Sequence, residues 1–224
     1  MQNGFRRAPV LTLGRLVSWR ARSLFQKTAI AKLRKWDLEL LLPGKWQGIG
    51  RSIFAFREHY EPELAYLQTF LYPGAVFLDI GANVGIYTLV ASRIVGPLGR
   101  VIAFEPSAQS FPLLQQNIAL NSLTNVRAFP LALSEKRGRV RLYHAPCSSG
   151  NSLGKRPRFR GSFEEVVAES LDYVLQGIPV ESVDVIKMDA QGAEEFLQLF
   201  LSSIRKERPS WARWRMEFAC ETRL

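Results

Sequence analysis

The chain has 224 residues, 47% of them hydrophobic, and carries 30 Lys and Arg against 20 Asp and Glu, a net charge of +10. That length holds one sizeable α/β core, and no stretch approaches the roughly 18 uninterrupted apolar residues that cross a membrane. The two cysteines, Cys147 and Cys220, rule out a disulfide framework and have no metal-ligand spacing, so a reducing, cytoplasmic compartment is the default.

Charge is concentrated at the start. Residues 1–36 hold nine of the 30 bases and no acid, leaving 21 bases against 20 acids in the rest. Leu11, Leu13, Leu16, Val17, Trp19, Leu24, Phe25, Ile30, Leu33 and Trp36 are interleaved with those bases. Residues 1–57 therefore read as a basic, amphipathic, helical extension. Three roles stay open for it: packing over the following domain with its bases in solvent, peripheral contact with a membrane surface, or organelle targeting. It lacks the compact apolar run and small-residue cleavage site of a secretory signal.

From 58 to 224 strands and helices alternate. Residues 61–71 form a helical pattern with Leu64, Leu67 and Leu71 on one face, ended by Pro73-Gly74. The first strand is 75–80, followed by a helix to about 94 and a Gly-Pro-Leu-Gly turn at 96–99. A second strand over 100–104 ends at Glu105. The helix over 110–120 stops near Asn121, a residue suited to a left-handed cap. A third strand covers 126–131, added strands cover 140–143 and 166–168, and a helix starts over 171–175. A fourth core strand, 183–188, is apolar except for Asp184 and Lys187, and 192–201 is the next helix. All-apolar strands alternating with helices predict a doubly wound, mostly parallel α/β sheet covered on both faces. Ligands in such sheets bind at the carboxyl ends of the strands.

The first strand runs Val-Phe-Leu into Asp79, and Gly81 and Gly85 then bracket a tight turn before the helix. This strand, glycine turn and helix wrap backbone around a nucleotide-like ligand. A dinucleotide fingerprint reads G-x-G-x-x-G. Here Asp79-x-Gly-Ala-Asn-x-Gly85 has an acid at the strand tip and no central glycine, which points away from NAD and toward S-adenosylmethionine (SAM). Three acids stand at strand ends. Glu105 lies 24 residues past Gly81, where a carboxylate accepts both hydroxyls of a ribose. Asp79 is placed to bind the amino group of a methionine moiety or to cap the following helix. Asp189 ends the fourth strand, where it either orients an acceptor hydroxyl and takes its proton or caps the next helix. Glu194 suits the first turn of that helix.

A second basic run, at 136–160, comprises Lys136, Arg137, Arg139, Arg141, Lys155, Arg156, Arg158 and Arg160. Aromatic residues for base stacking are sparse there (Tyr143, Phe159), so an inserted solvated hairpin over 136–162 is favoured over a nucleic-acid surface. Binding of an anionic substrate group is the intermediate reading.

The motifs Asp79-Ile-Gly-Ala-Asn-Val-Gly85, Phe104-Glu-Pro-Ser107, Asn117-x-x-x-Asn121, Ala132-Leu-Ser134, Ser170-Leu-Asp172 and Ile186-Lys-Met-Asp-x-x-Gly-Ala-Glu194 occur in the order seen in FkbM-type SAM-dependent methyltransferases. Over about 58–218 the chain resembles that family. The resemblance implies a class I methyltransferase fold and methyl transfer to an oxygen, typically a hydroxyl of a sugar, glycolipid or natural product. It also implies that Gly81, Ala82, Asn83 and Gly85 form the SAM loop and that Glu105, with Pro106 and Ser107, holds the ribose. Ala132, Leu133 and Ser134 would line the adenine end, and Asp189 would face the acceptor.

The chain departs from the family pattern at two places. Gln191 stands where the family usually has an acid. Residues 210–219 are the only candidate for a fifth strand, and their alternation of Trp211, Trp214, Met216 and Phe218 with Arg213, Arg215 and Glu217 suits an edge with one wet face. A truncated sheet edge of that kind is expected to lower stability or to be covered in a homodimer. Neither histidine lies near a motif, which leaves Asp189 as the candidate base. A SAM-binding scaffold without catalysis is the alternative function. An RNA methyltransferase ranks lower, because an amino-group enzyme would carry a Pro-Pro-aromatic motif where this chain has Asp189-Ala-Gln-Gly.

Overall fold

The computed structural model describes residues 9–25, 27–44, 49–60, 63–135, 137–144, 153, 162–180 and 182–189. The expectations for Gln191, Gly192, Glu194, the helix at 192–201, the strand at 210–219 and most of the basic insertion lie outside the described residues. The central sheet has four parallel strands in the order β5 (Val126–Phe129), β4 (Arg100–Phe104), β3 (Val76–Ile80), β9 (Val185–Met188). The first strand in sequence thus lies inside the sheet, and the chain crosses over it to reach β9. In register, Ile80 lies beside Phe104 on one side and Met188 on the other, so the carboxyl ends of β3, β4 and β9 come together.

Both faces of the sheet are covered, as strands with apolar residues on both sides require. Phe77 and Val185 face a core built with Leu89 and Val90 of α4 (Ile86–Val95). Leu78, Ile80, Ile102 and Phe104 face the opposite core with Leu171 and Leu175 of α6 (Leu171–Gln176). The Ser170 hydroxyl caps α6 by accepting from the Tyr173 N–H. Pro130 interrupts the third strand because it has no N–H to give the ladder. Instead of continuing to 131, β5 stops at Phe129, and Ala132–Leu133 forms a separate strand, β6. This strand joins a second sheet with β8 (Phe163–Glu169) and β7 (Gly138–Tyr143) in the order β6-β8-β7. The antiparallel pair β7 and β8 forms the base of the expected basic hairpin.

The N-terminal extension is helical at α1 (Pro9–Leu24) and α2 (Ile49–Phe56), but between them it forms an antiparallel hairpin of β1 (Ala29–Leu33) and β2 (Leu38–Leu42). Strict alternation of buried and more open positions along both strands is the period-2 pattern of a sheet with one covered face. Its buried side chains, Leu33, Leu38, Leu40 and Leu42 among them, join the core that contains Phe77 and Leu89. At roughly 2 kcal/mol for each buried leucine, these four contribute on the scale of a whole domain's net stability. The hairpin is part of the fold's core. Trp19 anchors α1 against α2, its ring 5.1 Å from that of Phe54. The opposite side of α1 exposes Val10, Leu13, Val17 and Leu24.

Helix α3 (Glu63–Phe70) precedes β3, and α5 (Phe111–Leu120) follows β4. The expected left-handed cap on α5 is displaced by one residue: Asn121 has φ −99° and Ser122 takes φ 52°. The Asn121 side chain is committed elsewhere, to the backbone of β2.

Candidate functional site

The glycine turn folds over the tip of its neighbouring strand. The Gly81 and Ala82 N–H groups both donate to the Phe104 carbonyl, at 2.9 and 3.0 Å, and the Gly85 N–H donates to the Ala82 carbonyl at 2.9 Å. Gly81 and Gly85 have φ 76° and 94°, conformations that strain any residue with a Cβ. Space adds a second constraint at Gly85, where a Cβ would lie 2.6 Å from Leu114 Cδ1. Asn83 also takes a left-handed conformation, φ 52°, which asparagine tolerates better than most residues. Its Oδ1 is buried and has no partner among the described residues. A buried acceptor without a donor is unfavourable, so this atom marks a place for a ligand's hydroxyl or amino group.

Glu105 stitches the turn to the end of β4. One carboxylate oxygen accepts from the Asn83 N–H at 2.7 Å and the other from the Ser107 N–H at 2.8 Å. Each oxygen keeps a further lone pair, enough for the two hydroxyls of a ribose. Glu105 is buried, and burial pushes its pKa up to about 7. The two N–H donors and the Lys187 charge oppose that rise, and the Asp79 carboxylate adds to it. Ser107 is buried as well: its carbonyl accepts from the Ser110 and Phe111 N–H groups and starts α5. Pro106, between them, is half-buried.

Asp79 occupies a different position from the one its sequence suggests. It is fully buried, and its oxygens accept from the Thr88 hydroxyl at 2.6 Å and from Lys187 Nζ at 3.0 Å. It does not cap α4, whose N-cap is Gly85. Lys187 lies directly across from Asp79 on β9, and its ammonium also donates to the Gly81 carbonyl at 3.0 Å. Asp79 thus acts on the turn through Lys187, from behind it. The sequence carries a signal for this pair. Lys187 is the only charged residue in the buried strand β9, and such a cation is stable only beside an acid.

Asp189 follows β9, and its N–H donates to the Ile80 carbonyl at 2.9 Å, so its backbone is fixed beside the tip of β3. Its side chain is exposed. Ala132 and Leu133 are buried in two different cores, Ala132 with Leu142 and Val166, and Leu133 with Ile80 and Phe104. What this segment offers a ligand is backbone and the half-buried Ser134, whose N–H is already given to the Glu169 carbonyl. Of the two histidines, His59 is exposed before α3 and His144 lies 3.5 Å from Glu164, so neither reaches the turn. A cleft of about 260 Å³ bordered by Pro97, Arg100, Asn125 and Ile178 opens at the amino ends of β4 and β5, the far end of the sheet from the glycine turn.

The chain matches the family described as Methyltransferase FkbM domain over residues 79–223, more than half its length, from Asp79 through Glu105 and Asp189. Methyltransferase sdnD of Sordaria araneosa is 31% identical to it, over 52% of this chain and 56% of the relative. Methyltransferase 1 of Beauveria bassiana is 24% identical, over 52% of this chain and 54% of the relative. The chain spans about half the length of these curated relatives. A SAM-dependent methyltransferase of known structure from Agrobacterium tumefaciens is similar at a TM-score of 0.39 and 13% identity, over 72% of this chain and 39% of that one, too loose a likeness to argue from.

Proposed function

Because the chain belongs to the FkbM methyltransferase family, we propose that it transfers a methyl group from S-adenosyl-L-methionine to a hydroxyl oxygen of a small acceptor: a sugar, a glycolipid or a natural product. SAM is the cofactor that goes with this family and its class I methyltransferase fold. The observation that carries the reading is the join between the turn and Glu105, a buried carboxyl bonded to the Asn83 N–H beside an Asn83 Oδ1 that has no partner among the described residues. This offers a polar ligand acceptors for ribose hydroxyls and one further acceptor, against a turn whose glycines leave bare backbone.

When bound, SAM supplies a methyl group already activated by its sulfonium. The chain's residues then have three tasks. Gly81, Ala82, Asn83 and Gly85 shape the turn, held from behind by Asp79 and Lys187. Glu105 orients the ribose, with Pro106 and Ser107 fixing the start of the next helix, and the backbone around Ala132, Leu133 and Ser134 borders the adenine end. Asp189, its backbone tied to Ile80, is the group that would take the proton of the acceptor hydroxyl. Holding the acceptor oxygen in line and close contributes several kcal/mol through proximity alone.

Calorimetry with SAM and with NAD tests the ligand class, and binding of NAD in preference to SAM would sink the reading. Incubation with methyl-labelled SAM and separate pools of sugars, lipids, small metabolites and RNA tests the acceptor. Label confined to RNA would replace the hydroxyl-acceptor reading. SAM binding with no labelled product in any pool would leave a SAM-binding scaffold.

The basic extension has a proposed partner too, the surface of an anionic membrane. The support is the stripe of Val10, Leu13, Val17 and Leu24, 58–82% exposed on the side of α1 away from buried Trp19, in a segment with nine bases and no acid. Among the described residues no helix is long and apolar enough to cross a membrane. Flotation with phosphatidylglycerol vesicles should carry the protein, phosphatidylcholine vesicles should not, and Leu13→Glu with Val17→Glu should abolish binding. Equal flotation of that double variant would remove the helix from the proposal.

A further inference from the structure

The second turn of α5 and the residue just beyond it carry two asparagines whose side chains grip the N-terminal hairpin. Asn117 Oδ1 accepts from the Leu41 N–H at 2.6 Å and its Nδ2 donates to the Leu41 carbonyl at 3.1 Å. Asn121 does the same to Glu39, accepting from its N–H at 2.8 Å and donating to its carbonyl at 2.6 Å. Each amide therefore presents to β2 the donor and acceptor that a neighbouring strand would present. The spacing makes this work: four residues along a helix rise about 6 Å, and two along a strand about 6.6 Å. Glu39 and Leu41 are alternate residues on the edge of β2 away from β1, an edge that would otherwise be open.

Asn117 does more than its partner. It is fully buried, and the second hydrogen of its amide goes to the Val84 carbonyl at 2.8 Å. Val84 lies inside the glycine turn, next to Asn83, whose N–H is held by Glu105. One side chain thus joins the backbone of an N-terminal hairpin to the backbone of the turn. The hairpin, residues 29–42, precedes the family-matched region that begins at 79.

We infer that Asn117 is a positioning residue for the cofactor turn, and that the N-terminal hairpin, held by Asn117 and Asn121, sets the affinity for the cofactor although it does not touch the cofactor site. This rests on the cofactor reading above. Displacement of the hairpin removes two of the three partners that orient the Asn117 amide, and the Val84 carbonyl then loses a fixed donor. The turn loses its rigid backing at the peptide between Asn83 and Gly85. By reciprocity, a ligand that fixes the turn must also tighten the hairpin.

The test uses the whole chain and S-adenosylhomocysteine as the probe. Amide exchange followed by NMR or mass spectrometry should show the Leu41 N–H protected more strongly when the probe binds. Asn121→Leu, which removes the Glu39 grip and the 2.7 Å bond to the Asn117 carbonyl but no contact to the turn, should bind the probe about 5-fold more weakly, at the lower end of ordinary coupling between sites. Asn117→Leu should lose more, and Asn117→Gln, which keeps the amide but not its reach, should not restore it. The probe binding to wild type with Leu41 exchange unchanged, or to Asn121→Leu with wild-type affinity, overturns the inference and leaves the cofactor reading standing. Failure of the probe to bind wild type at all overturns the cofactor reading and this inference with it. The wild-type exchange measurement decides the matter even where a variant does not fold.

Discussion

Raising the pH from 5 to 8 should weaken the fold through Glu105, and bound cofactor should reverse the effect. The side chain is 6% exposed, and burial holds its pKa up from the ordinary 4.5 to about 7. The folded protein therefore keeps the proton until about pH 7, whereas the unfolded chain releases it near 4.5. The stabilisation is complete below 4.5 and is lost as the pH climbs through about 7. At about 1.4 kcal/mol per tenfold change, the gap corresponds to about 3 kcal/mol, an upper figure if water enters the turn as the carboxyl ionises. The assay is urea unfolding of wild type and Glu105→Gln at intervals across this range. Glutamine has one carbonyl oxygen for two N–H donors, so the variant carries an offset of about 1–3 kcal/mol. That offset does not titrate, and all other ionisable groups cancel in the difference between the two curves. Wild-type stability relative to the variant should fall by about 2–3 kcal/mol from pH 5 to 8, and a flat difference would refute the burial argument. Ribose hydroxyls donate to the ionised carboxylate, so binding favours the charged form and expels a proton below pH 7. Affinity for S-adenosylhomocysteine should therefore rise with pH up to about 7 in wild type and stay level in Glu105→Gln. Equal pH dependence in both would remove the ribose from Glu105.

Lys187→Met should destabilise the protein by about 3–5 kcal/mol, because it leaves the fully buried Asp79 carboxylate with Thr88 as its one side-chain partner among the described residues. Adding Asp79→Asn should recover part of that loss in a double-mutant cycle, and a fully additive cycle would mean that the two charges are not coupled. Gly85→Ala meets both a φ of 94° and Leu114 Cδ1 at 2.6 Å, whereas Gly74→Ala meets a φ of 92° and open space. Thermal melts should show a loss of about 1–2 kcal/mol for Gly74→Ala, from backbone strain alone, and a clearly larger one for Gly85→Ala. Asp189→Asn should leave affinity for S-adenosylhomocysteine unchanged and slow methyl transfer about 100- to 10,000-fold, the range of a lost general base. Undiminished transfer would leave the acceptor proton to another group.

The parallel core was legible because buried strands have one reading. Val-Phe-Leu before Asp79 and Val-Ile-Ala-Phe before Glu105 have no polar face, and the glycine spacing fixes which end of β3 meets the ligand. Three features escaped a linear reading because each depends on a contact between distant parts of the chain. Asp79 sits at a strand tip in sequence, which suggests a group facing the ligand. Lys187, 108 positions away, turns it into half of a buried pair behind the turn. Asn121 has the composition of a helix cap, yet its amide is worth more against Glu39, where it satisfies two backbone groups instead of one, and Ser122 bears the positive φ in its place. The hairpin is hidden in the basic extension for a similar reason. Ala-Ile-Ala-Lys-Leu alternates weakly, and strand is favoured over helix by the core under Leu33 and Leu40 and by the Asn117 and Asn121 amides along the edge of β2. In each case the outcome was decided by contacts from distant parts of the chain: Lys187 for Asp79, the β2 backbone for Asn121, and the core with the edge amides for the hairpin. Three polar side chains converge on the glycine turn: Lys187 holds the Gly81 carbonyl, Asn117 the Val84 carbonyl, and Glu105 the Asn83 N–H. The turn is thereby held at three points from three separate parts of the chain. Its shape is a property of the whole fold, N-terminal hairpin included, rather than of the glycines that announce it.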